Sequence, residues 1–167
     1  MKTHQRPIMS IYPTARGLGW AVLNPFQKEG EPYSDIEHGL FHLVDSKPDS
    51  VIRRTNKLIN IYQPAIVILR QLPVDTTSTA GYILKGLKQH LKCKNIQATS
   101  FSRKQIQQTF LPYGAKNKYQ IAELICEELE GIDLPVLTKR KIGAGEKAGY
   151  AVIDAIALIL AYQYFSQ

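Results

Sequence analysis

The 167-residue sequence contains only two cysteines, Cys93 and Cys126, and a single tryptophan, Trp20. Two thiols make no disulfide framework, and with no leader segment visible a reduced, cytoplasmic setting is expected. No apolar run reaches the ~18 residues of a membrane span, so no membrane partner is expected. His4, His38, His42 and His90 lack the spacing of a metal-ligand set. His38 and His42 would share a helix face, but their stretch reads as a strand. Gly17-Leu18-Gly19 is too short and wrongly placed for a dinucleotide loop. There is no internal repeat, and no linker long enough to divide residues 1–167, so one domain with one core is expected. Negative charge is scarcer than positive: 14 Asp and Glu against 21 Lys and Arg, a net charge of +7. Such an excess suits a polyanion such as nucleic acid, although solubility alone accounts for it equally well.

What is present is a long apolar stretch near the end of the chain, from Gly149 to Tyr162. Between Tyr150 and Tyr162 every residue but Asp154 is apolar or aromatic. All-round apolarity means a buried helix. A carboxylate inside one is costly unless it is paired, hydrogen-bonded, neutralised or bound to a metal.

Upstream, Pro7 to Tyr12 reads as a strand with Ile8, Ser10 and Tyr12 on one face and Met9 and Ile11 on the other. A turn over Pro13–Gly17 leads to a second strand, Leu18–Leu23. Asn24–Ser34, with Pro25, Gly30 and Pro32, reads as a loop, and Ile36–Val44 as a third strand. The period then changes. Ser50–Gln63 puts Val51, Thr55, Leu58, Ile59 and Tyr62 on one helical stripe, and Pro64 ends the helix. Ala65–Leu69 is a continuous apolar run, as in a strand covered on both faces. A weaker helix over Thr77–Leu91, a strand over Ile96–Ser100, and a helix Arg103–Phe110 capped by Ser102 follow. Asn117–Leu129 is amphipathic, and Gly131–Gly145 is a connector carrying Pro135 and the basic run Lys139-Arg140-Lys141. Strands joined through helices favour parallel neighbours, so the order predicts an α/β fold: a mixed five-stranded sheet with helices on both faces.

Three segments carry a resemblance. Ile8-Met9-Ser10-Ile11-Tyr12-Pro13-Thr14-Ala15-Arg16-Gly17-Leu18-Gly19-Trp20-Ala21-Val22 resembles the opening I-D-P-G-x-x-x-x-G-Y-A-V of RuvC-type Holliday junction resolvases. Gly114-Ala115-Lys116-Asn117-Lys118-Tyr119-Gln120-Ile121 resembles their G-x-A-x-K-x-Q-V, and Asp154-Ala155-Ile156-Ala157-Leu158 their closing D-A-x-A-x. The three fall in the right order and span most of the chain. The resemblance implies a ribonuclease H-like fold, a homodimer, and a nuclease site in which clustered carboxylates hold two divalent cations. The family's acids are an Asp in strand one, a Glu at the end of strand four, and acidic residues on the last helix. This chain has Tyr12 at the first, Thr14 for the glycine of D-P-G, and Arg70 at the second, or Leu69 or Gln71 if the register slips. On the last helix Asp154 matches, with Ala151 one turn before it.

Two readings are open for Asp154: a surviving metal ligand, or a carboxylate paired inside the old site. The second names the Arg70 guanidinium as partner, with the Tyr12 hydroxyl nearby. Asp35, Glu37, Asp75 and Glu146 are substitute acids by position, each read as a surface charge before a ligand. Lys116 and Lys118 sit at a helix start, where the dipole does not favour cations; the resemblance implies that Lys118 contacts DNA phosphate. Arg16 follows the first strand, and Arg103, Lys104, Lys139, Arg140 and Lys141 extend a possible phosphate surface. The leading expectation is a RuvC-like nucleic-acid-binding protein, catalytically degenerate, that binds structured or double-stranded DNA through phosphates and needs no cofactor. The alternatives are an active endonuclease that uses Mg²⁺ with relocated ligands, and a protein-interaction subunit on the same scaffold.

Overall fold

The computed structural model describes residues 6–24, 36–45, 47–73, 77–129 and 149–167. The loop expected over Asn24–Ser34 (Asn24 apart) and the connector over Gly131–Gly145 lie outside them. Strand β1 (Ile8–Pro13) pairs antiparallel with β2 (Gly17–Leu23), which pairs antiparallel with β3 (Ile36–His42). On its other side β1 pairs parallel with β4 (Ile66–Arg70), and β4 pairs parallel with β5 (Gln97–Phe101). The order is β3-β2-β1-β4-β5, the mixed five-stranded sheet read from the sequence. Four strands therefore run one way and β2 alone opposes them, so the carboxyl ends of β1, β3, β4 and β5 lie along one edge.

The alternation expected in β1 sorts the two cores. Met9 and Ile11 join Val67, Leu69, Leu18 and Val22 beneath α1 (Pro48–Tyr62) and α2 (Thr79–Cys93). Ile8 and Tyr12 face the other way, with Ile68 and Ala21, toward α5 (Tyr150–Phe165). α3 (Arg103–Phe110) and α4 (Lys118–Glu128) cover the outside of α5, with Phe110, Ile121, Ala122 and Ile125 buried in the same cluster. That second covering is why α5 is apolar all round: it lies between the sheet and two helices.

α5 crosses the sheet from β2 to β5. At one end Gly19 meets its backbone: a Cβ built on Gly19 would lie 2.0 Å from the Ala151 carbonyl oxygen, so no other residue allows this approach. Midway the buried Ser10 hydroxyl donates to the Ala155 carbonyl at 2.6 Å. At the far end Phe165 stacks on Phe101, 5.6 Å between ring centroids. None of the helices among the described residues is long and apolar enough to cross a membrane.

Local rules set most boundaries. Ser102 caps α3 with a full capping box, its side chain accepting from the Gln105 amide while the Gln105 side chain accepts from the Ser102 amide. α1 begins two residues before the expected Ser50, because Pro48 fits the first turn, where its missing N–H costs nothing. β3 stops at His42 rather than Val44, whose side chain is fully exposed and has no core to face.

Candidate functional site

The carboxyl edge of the sheet gathers the chemistry. The register that sets Ile11 opposite Leu69 puts Arg70 beside Tyr12 on the α5 face. Leu69 is fully buried in the opposite core, and Gln71 lies beyond the strand, its amide bonded to the Phe101 carbonyl. Arg70 is therefore the residue at the end of strand four that turns toward Tyr12. Its guanidinium carbon stands 4.8 Å from the centroid of the Tyr12 ring, and Nη1 donates to the Pro13 carbonyl at 3.4 Å.

Asp154 does not take Arg70 as its partner. Its Oδ2 meets the Lys118 ammonium at 2.6 Å, a charge-assisted contact between side chains 13% and 34% exposed. The Lys118 nitrogen is also 5.8 Å from the centroids of both Tyr12 and Tyr150. The pairing expected from the sequence fails because α4 packs on α5 and delivers its first residue to the carboxylate, while Arg70 is taken up by the strand-end carbonyl and the ring. Lys118 is placed by the cap: Asn117 accepts from the Gln120 amide at 3.0 Å, and the Gln120 side chain accepts from the Lys116 amide at 2.9 Å. Beside it, Tyr119 is hydrogen-bonded to Glu123, which raises its phenol above the usual range.

Tyr12, Arg70, Lys118, Tyr150 and Asp154 thus form one cluster at the ends of β1 and β4. Tyr150 was not singled out in the sequence, although its i, i+4 spacing to Asp154 puts both on one helix face. Ala151 is buried, its backbone against Gly19. Arg16 is exposed in the turn after β1, where Thr14 Oγ1 accepts from the Arg16 and Gly17 amides and the Arg16 carbonyl accepts from the Leu43 amide. Arg103 and Lys104 are exposed in the first turn of α3, directly after β5, and Lys116 is exposed two residues before Lys118. α1, α2 and α3 each follow a strand that ends on this edge, so their amino termini add partial positive charge there.

Of the substitute acids, Glu37 is among the described residues, and it stands away from Asp154. Glu37 lies near the start of β3, on the order of 15 Å of strand away from its carboxyl end. There it accepts from the Tyr62 hydroxyl at 2.5 Å and the Asn24 amide at 3.4 Å. Burial first, and then this bond, push the Tyr62 phenol up to about 12. Asp35, Asp75, Glu146 and Lys139 to Lys141 lie outside the described residues.

A two-cation nuclease centre asks for several oxygen anions around hard ions. Tyr12, Arg70 and Ala151 supply none, and the Asp154 carboxylate is neutralised by an ammonium. Among the described residues no three His, Cys, Asp or Glu side chains cluster as a metal site. The described residues at this edge do not by themselves fit two divalent ions.

No family model and no curated protein sequence matches the chain. Solved structures do. Thermus thermophilus RuvC matches with a TM-score of 0.65 at 14% identity over 96% of this chain and 95% of that one. The yeast mitochondrial Holliday junction resolvase Ydc2 matches with a TM-score of 0.58 at 14% identity, over 96% and 80%. The fowlpox virus Holliday junction resolvase gives 0.54 at 16% identity, over 96% and 99%. At these identities the likeness speaks for architecture: the chain is built on the ribonuclease H-like fold of RuvC.

Proposed function

We propose that this chain binds structured or double-stranded DNA through its backbone phosphates at the carboxyl edge of the sheet, without divalent ions and without cutting it. The observation that carries the reading is the Lys118–Asp154 pair beside Arg70: two cations and one anion where the resemblance implies clustered carboxylates. Such a cluster attracts phosphate directly, the role a metal plays in the nuclease. Open α/β sheets bind ligands at their strand carboxyl ends. Arg16, Arg103, Lys104 and Lys116 widen the same edge, and the net charge of +7 favours a polyanion. Among the structural neighbours, T. thermophilus RuvC is solved in complex with a Holliday junction substrate, with a TM-score of 0.66 at 12% identity.

The test is fluorescence anisotropy on a labelled four-way junction and a matching duplex, over a salt series, with EDTA and with Mg²⁺. Each phosphate contact contributes about −0.9 to the slope of log K against log salt, so several contacts give a slope of about −3 or steeper. Equal affinity in EDTA and Mg²⁺, with the junction left intact, is expected. A salt-insensitive or undetectable interaction would leave the scaffold as a protein-interaction subunit instead.

A further inference from the structure

We infer that Asp154 is an internal competitor for phosphate: it holds the Lys118 ammonium, so the chain meets nucleic acid with one cation fewer than the cluster contains. This rests on the phosphate-binding reading of the same cluster. The two cations are engaged differently. Among the described residues Arg70 contacts a carbonyl oxygen and a ring face, neither of which carries a formal charge. Lys118 is held at 2.6 Å by a full negative charge.

Exposure sets the direction of approach. The Lys118 side chain is 34% exposed and the Asp154 side chain 13%, so solvent reaches the ammonium more readily than the carboxylate behind it. A phosphate arriving at Lys118 shares that ammonium with Asp154 and is repelled by the nearby carboxylate. The ring centroids of Tyr12 and Tyr150 each stand 5.8 Å from the ammonium. Neutralising Asp154 therefore releases a phosphate contact rather than destroying a site. A metal-ligating carboxylate behaves in the opposite sense, since its loss removes the ion that holds the phosphate.

The experiment compares wild type, Asp154→Asn, and the double variant Asp154→Asn/Lys118→Gln on the same labelled junction in EDTA over a salt series. One extra contact makes Asp154→Asn bind on the order of tenfold tighter near ~50 mM salt and steepens the slope by about 0.9. The double variant loses both gains, because they pass through Lys118. Unchanged or weaker binding by Asp154→Asn overturns the inference, as does a gain that survives in the double variant, whose net charge equals that of wild type, or a gain lost equally in Asp154→Asn/Lys57→Gln, with its exposed lysine on α1, which would be bulk charge alone. Asp154→Ser repeats the comparison should Asn disturb folding, checked by circular dichroism. If neither wild type nor any variant binds, the phosphate-site reading itself fails; if wild type binds and Asp154→Asn gains nothing, only the competitor role fails.

Discussion

Lys118 occupies the first position of α4, where the helix dipole disfavours a cation. The Asp154 carboxylate at 2.6 Å offsets that and spares α5 an unpaired charge among its apolar neighbours. Removing one partner of a buried pair costs ~3–5 kcal/mol. Lys118 is a third exposed, so Lys118→Met is expected to lose about 2 kcal/mol in urea unfolding, the remainder being screened by solvent. A loss under about 0.5 kcal/mol would show that the contact contributes little. That Tyr12 and Arg70 stand side by side was legible in the sequence, because β1 and β4 are neighbours in this fold and the register follows from their apolar faces. The partner of Asp154 was not. Lys118 lies 36 positions earlier in the chain, and its arrival depends on how α4 lies across α5, which no local pattern encodes.

α5 is held at three places along its length: Gly19 under Ala151, Ser10 under Ala155, and Phe101 under Phe165. The first has least tolerance, because a Cβ there would run into backbone rather than a side chain that can rotate. Gly19→Ala is expected to lose about 3 kcal/mol or more, or to fail to fold, measured by thermal unfolding. A variant within about 1 kcal/mol of wild type would mean that the helix is free to stand off the sheet. Elements with strong local chemistry could be read directly: the Ser102 capping box, the alternation in β1, and the unbroken apolar run of β4. The depth of the Gly19 contact was hidden, since a glycine after a turn reads first as turn chemistry. The ends of α1 and β3 moved by two residues each, because a first-turn proline and a loss of core contact override propensity there.

For the whole molecule, topology brings scattered cations to one edge, with Asp45 and Asp49 at its β3 end. Among the described residues four strands end on one edge, α1, α2, α3 and α4 start there, and Arg16, Arg70, Arg103, Lys104, Lys116 and Lys118 come from four separate segments that end or begin there. At the positions matched to the resolvase acids stand Tyr12, Arg70, Ala151 and Asp154, and the acidic one of these is paired with Lys118. The element order and the mixed sheet followed from the sequence, as did the basic balance, but the gathering of scattered cations on one edge emerges only from the strand order. The most direct measurement is a Mn²⁺ titration followed by electron paramagnetic resonance, with the junction present. The account expects no stoichiometric Mn²⁺ site and an uncut junction; two Mn²⁺ bound per chain, with cleavage, and both lost in Asp154→Asn, would contradict it.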